Sequence, residues 1–87
     1  MPAIATPKTE SVAFVVVGYA AGKRGALRVA EQMQRSSEGA ARLRADRLME
    51  TGRVLGVDVV RQECNPDLGE YPEPEYLCRL GRVPELD

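Results

Sequence analysis

Histidine and tryptophan are absent from this sequence, and its aromatic side chains are Phe14, Tyr19, Tyr71 and Tyr76. Without histidine, every imidazole-based catalytic triad and every mixed cysteine–histidine zinc site is excluded. The two cysteines, Cys64 and Cys78, are too few for a disulfide framework or a four-cysteine zinc site. They read as free thiols of a reducing compartment, the alternative being one bridge between them in an oxidising one, and the expected location is cytoplasmic. No metal and no cofactor is expected. Neither sign of charge dominates, with 12 basic against 13 acidic side chains. The molecule as a whole therefore does not advertise a polyanionic partner.

Long hydrophobic runs are also missing. The longest, residues 12–21, has ten residues, too few to span a bilayer. Its length suits the core of a secretion signal, but its flanks do not. Lys8 is followed by Glu10, prolines stand at positions 2 and 7, and the run is rich in valine rather than leucine. The β-branched content points to a strand instead, and no membrane association is expected.

What is present fits one small α+β domain of 87 residues. A chain of this size buries roughly 60–65% of its unfolded surface, and much of the apolar content here is alanine, so association with a second copy or a partner protein is expected. Arginine outnumbers lysine ten to two, a bias of GC-rich bacterial or phage genomes. Charge is distributed unevenly. Residues 23–61 carry nine basic against five acidic side chains, and residues 62–87 carry two against seven.

Residues 1–10 hold two prolines and no periodicity and read as a flexible arm before a single domain over 11–87. Residues 11–20, SVAFVVVGYA, are apolar on both faces and predict a strand covered on both sides. From Gly25 to about Gly52 the spacing is helical. Ala26, Ala30, Met33, Ser37, Ala40, Ala41 and Leu48 share a broad face, and Arg28, Glu31, Arg35, Glu38, Arg42 and Asp46 are exposed. The RSSEG segment, 35–39, is either a kink in one long helix or the joint of two, with Ser36 or Ser37 as the second N-cap. The continuity of the small-residue face favours one kinked element. Gly52 is a C-cap. Leu55, Val57 and Val59 begin a second strand, NPDLG (65–69) is a turn, and residues 76–83 form a last strand with Tyr76, Cys78 and Leu80 on one face. The expected order is β-α-β-β, a three-stranded sheet with one long or kinked helix, or two helices, packed on it.

Three groups of residues are candidate sites. Gly22, Lys23, Arg24 and Gly25 stand where a strand is expected to turn into a helix, a setting that binds anions through free helix amides. The spacing matches neither G-x-x-x-x-G-K-[ST] nor G-x-G-x-x-G, so the loop is expected chiefly to turn the chain. Arg42, Arg44, Arg47 and Arg53 are the candidate nucleic-acid residues, but they do not share one helix face and no aromatics are interleaved for stacking. Phe14, Val16, Ala30 and Met33 are the candidate oligomer interface, because the strand over 11–17 and the small-residue helix face leave apolar area that one domain can hardly cover. The serines and cysteines stand in no nucleophile motif, and the carboxylates of EYPEPE sit in a solvated proline-rich stretch. Catalysis is therefore not the expected role. The expected function is protein binding by an accessory, regulatory or inhibitor protein, acting as a homodimer or with another protein. A nucleic-acid-associated regulator is the first alternative, and a small enzyme or anion-binding domain at Gly22–Gly25 the second.

Overall fold

The structure is a computed structural model that describes residues 11–64 and 72–86. The expected arm over 1–10 and the NPDLG turn lie outside the described residues. Along the chain come β1 (Ser11–Ala21), β2 (Leu27–Arg35), α1 (Glu38–Thr51), β3 (Gly56–Cys64) and β4 (Glu75–Gly81). The strands form one antiparallel sheet of four, in the order β2-β1-β3-β4, and α1 packs on one face, chiefly over β1 and β3. The α+β class holds. The three-stranded sheet and the β-α-β-β order do not, because the first half of the expected helix is the strand β2.

The reason for that difference lies in one bulge. Gly18 pairs with Glu31 and Tyr19 with Val29, which leaves Ala30 unopposed on β2. The extra residue shifts the alternation, so Arg28, Glu31, Met33 and Arg35 all fall on the α1 side of the sheet. Arg28, Glu31 and Arg35 are spaced i, i+3, i+7, which is also the spacing of one helix face. A bulged strand and a helix thus write the same pattern at these positions. The helix proper starts at the RSSEG joint. Ser37 is its N-cap and its hydroxyl accepts from the Ala40 N–H at 3.1 Å. Gly52, at φ 74°, ends it.

The strand-to-helix loop of the sequence reading is instead a hairpin turn. β1 runs on to Ala21, and Arg24 (φ 58°, ψ 34°) and Gly25 (φ 79°) are both left-handed, with the Ala26 N–H donating to the Lys23 carbonyl at 3.0 Å. Positive φ at both central residues is the mark of a type I′ turn, whose twist suits an antiparallel hairpin. Gly18 is not a turn residue. It sits inside β1, where a Cβ would lie 3.1 Å from Val54 and 3.7 Å from Leu48, so its lack of a side chain makes room for the helix and the segment after it.

The core lies between α1 and the sheet. Val16, Val57 and Val59 from the central strands meet Ala41, Ala45 and Leu48 from the helix, with Val54 closing the end. The alanines let the helix come close to a floor of valines, and Leu48 is the largest fully buried side chain. Phe14, Met33, Met49, Leu77, Cys78 and Leu80 pack around this centre. A second bulge, between Val59 and Val60, leaves Leu77 unopposed on β4. It keeps Cys78 and Leu80 on the helix side but turns Tyr76 to the opposite face, so Tyr76 does not share a face with them as the plain alternation predicts.

Candidate functional site

The face of the sheet away from α1 is built from Val15, Val17 and Tyr19 of β1, Leu27, Val29, Gln32 and Gln34 of β2, Asp58 and Val60 of β3, and Tyr76 and Arg79 of β4. This follows from the pairing of Val17 with Asp58 and Gln32, of Val15 with Val60 and Gln34, and of Asp58 with Arg79. Its two halves differ sharply.

On the β3–β4 half, Asp58 is wholly buried and is the one buried charged side chain among the described residues. A buried carboxylate is tolerable only when its oxygens are engaged, and these are. Arg79 Nε donates to Oδ1 at 2.6 Å, Arg79 Nη2 to Oδ2 at 3.0 Å, and the Tyr19 hydroxyl to Oδ2 at 2.9 Å. The same Nη2 also donates to the Pro84 carbonyl at 2.6 Å, and the Arg79 guanidinium carbon lies 4.9 Å from the centre of the Tyr76 ring. The hydrogen bond to Asp58, with its negative charge, raises the Arg79 pKa further above its ordinary value. Burial, then the bond to Asp58, pushes the Tyr19 phenol up to about 12. Both groups are thereby fixed in one protonation state at neutral pH. The arrangement ties three strands and Pro84 together.

On the β1–β2 half nothing of the kind exists. Val29 is 54% exposed, Val15 and Val17 are half-buried, and Gln32 and Gln34 are exposed beside them. Val15, Gln32, Met33 and Gln34 line a depression of about 260 Å³. Leu43, also exposed, lies on α1 and does not extend this patch.

The residues singled out from sequence are scattered over the molecule. Gly22–Gly25 stands at no α-helix N-terminus, and the Gly25 carbonyl accepts from Arg82 at 2.9 Å. The arginines are not brought together. Arg42 bonds Glu38 at 2.7 Å and the Leu77 carbonyl at 3.1 Å, on the β4 flank of α1. Arg44 lies on the opposite flank, at 3.6 Å from Glu31 and 3.1 Å from the Met33 sulfur. Arg47 is on the helix exterior and Arg53 beyond its end, both exposed. Of Phe14, Val16, Ala30 and Met33, Val16 is wholly buried beneath α1, Phe14 and Met33 are partly buried around the same core, and Ala30 is exposed at the bulge. Cys78 is a free, half-buried thiol; the side chain of Cys64 lies outside what the structure describes. Among the described residues, no three acidic or cysteine side chains gather as a metal-holding group, and no helix is long and apolar enough to cross a membrane.

Sequence reasoning missed Asp58, Arg79 and Tyr19. Their signal was nevertheless there. One acid interrupts the apolar run VDVV and one base interrupts YLCRL, the pattern of two buried strands exchanging a charge pair. In architecture the protein is a two-layer α+β domain, a four-stranded antiparallel sheet with one helix on one side. No family model, no curated protein and no solved structure matches it.

Proposed function

We propose that this chain is a protein-binding protein of the accessory, regulatory or inhibitor type, and that it meets its partner through the bare β1–β2 half of the open sheet face. The observation that carries this reading is the unequal treatment of one face. The β3–β4 half is tied down by Arg79, Tyr76 and Pro84, whereas the β1–β2 half presents valines beside Gln32 and Gln34. Apolar side chains rimmed by uncharged polar ones suit a protein surface better than a polyanion, and the scattered arginines offer no single basic stripe.

The test is a complex reconstituted from purified components, with a partner first isolated from the native host. Val15→Gln combined with Val29→Gln should weaken that complex by at least about tenfold, as expected when apolar contacts at an interface are lost, while the melting temperature changes little. A complex indifferent to this pair of changes would overturn the reading. So would a tight, salt-sensitive gel shift on DNA or RNA at about 0.15 M salt that is lost on changing Arg42 and Arg47 to Ala.

A further inference from the structure

We infer that the free edge of β2 pairs with the same edge of a second copy of this chain, antiparallel and centred on Met33, to give a continuous eight-stranded sheet. The inference stands on the rim of β2 and not on the sheet face discussed above.

Two observations carry it. The first is the direction of the main-chain groups. The Tyr19 carbonyl accepts from the Leu55 N–H at 2.7 Å, so odd-numbered residues of β1 turn their main-chain groups towards β3. Phe14, Val16 and Gly18 then bond β2 through Arg35, Met33 and Glu31. Gln32 and Gln34 are left with N–H and C=O at the free edge. In the single chain the Gln34 carbonyl is met by its neighbour's side chain, Arg35 Nη1 at 2.9 Å, and by no strand.

The second observation is the order of side chains over 31–35, Glu-Gln-Met-Gln-Arg. Reversed and laid against itself about Met33, this segment is its own complement. Glu31 of one chain faces Arg35 of the other, Gln32 faces Gln34, and Met33 faces Met33. Gln32 and Gln34 become the reciprocally hydrogen-bonded pairs, which is what their outward main-chain groups require. Shifting the centre to Gln32 sets Glu31 against Met33, and shifting it to Gln34 sets Arg35 against Met33, so the charges match only in the register centred on Met33. The Ala30 bulge and Ser36 bound the five residues on either side. A dyad normal to the sheet places both copies of α1 on one side. They do not collide, since α1 lies chiefly over β1 and β3 and leaves β2 largely clear.

Charge reversal tests the register by sedimentation or light scattering at tens of micromolar. Wild type should have twice the 9.5 kDa chain mass. Glu31→Arg alone opposes two arginine pairs and Arg35→Glu alone opposes two glutamate pairs, so each should raise the dimer dissociation constant about tenfold or more. An equimolar mixture of the two variants restores opposite charges at both positions and should form a heterodimer, and the double variant should form a homodimer. Gln34→Pro, which removes an edge N–H without touching the bonds to β1, should give a folded monomer by circular dichroism. A monomeric wild type, a dimer unmoved by either reversal, or a mixture that stays monomeric would each overturn the inference. The changes leave Val15 and Val29 in place, so a wild type that is monomeric, or a dimer unmoved by either reversal, beside a partner complex that Val15→Gln with Val29→Gln weakens would sink this inference alone.

Discussion

β4 and β2 are both edge strands, and their outer rims differ residue by residue. On β4 the Leu77 bulge interrupts the ladder, Arg42 occupies the Leu77 carbonyl, and Pro74 and Pro84 flank the strand without an N–H to offer. Arg79 binds Asp58 beneath and the Pro84 carbonyl beyond, which fastens Pro84 to β4. Bulges, prolines and charged side chains at an edge are the usual means of keeping foreign strands away. β2 has a bulge too, but it sits at Ala30 and leaves 31–35 regular, with the Arg35 side chain meeting the edge carbonyl of Gln34. One edge carries a bulge, flanking prolines and an arginine on a rim carbonyl, and the other carries the self-complementary charge order Glu-Gln-Met-Gln-Arg over residues 31–35. The fold thus carries its restraint and its availability on opposite sides of the sheet.

Breaking the restraint on the β4 side should have the largest effect. Asp58→Ala removes the partner of Arg79 and Tyr19 and leaves Arg79 facing an apolar hole. It should cost about 3 kcal/mol in urea unfolding, the lower end for a broken buried pair because Arg79 retains some solvent contact. A loss under about 1 kcal/mol would show that Asp58 is not what fastens β4. Gly56→Ala attacks the same strand pair through the backbone. A Cβ there would fall on the main chain of Arg82, so the end of β4 must move away from β3, with an expected loss of about 2 to 3 kcal/mol in the same assay.

Tyr19→Phe keeps the ring and deletes one hydrogen bond to Asp58. It should cost about 1 kcal/mol, somewhat more if the carboxylate is left short of a donor. Its pH dependence sharpens the point. Because the phenol is raised from 10.0 to about 12, the native state holds this proton more tightly than the unfolded chain. Its contribution is complete below pH 10.0 and declines as pH rises towards about 12. Over that window wild type should lose stability faster than Tyr19→Phe in parallel thermal melts; equal slopes would remove Tyr19 from the account. Smallest of all should be Arg42→Ala. Its pair with Glu38 is exposed, so unfolding should change by less than about 1 kcal/mol even though a cover of the β4 rim is lost.

Much of this molecule is determined by its sequence alone. The β-branched run after residue 11 forms a strand, Leu55, Val57 and Val59 lead into another, and Gly52 ends the helix, because these choices depend on local chain stiffness and on hydrogen bonds within a few residues, whereas the helix start at Ser37 is only one of two readings of the RSSEG joint and not the favoured one. The α+β class follows from them. The identity of β2 did not, because a bulge is set by what lies across the ladder. With Ala30 unopposed, a strand takes on the three- and four-residue spacing of a helix, and only the partner β1 distinguishes the two. The candidate surfaces depend on tertiary structure in the same way. Asp58 lies 39 residues from Tyr19 and 21 from Arg79 in sequence, and the contrast between the two halves of the open face arises only once Arg79 meets Asp58 and the Pro84 carbonyl on one of them. Periodicity records which way a side chain points along its own element; which neighbour it meets is decided by register between elements, and that is a property of the folded chain.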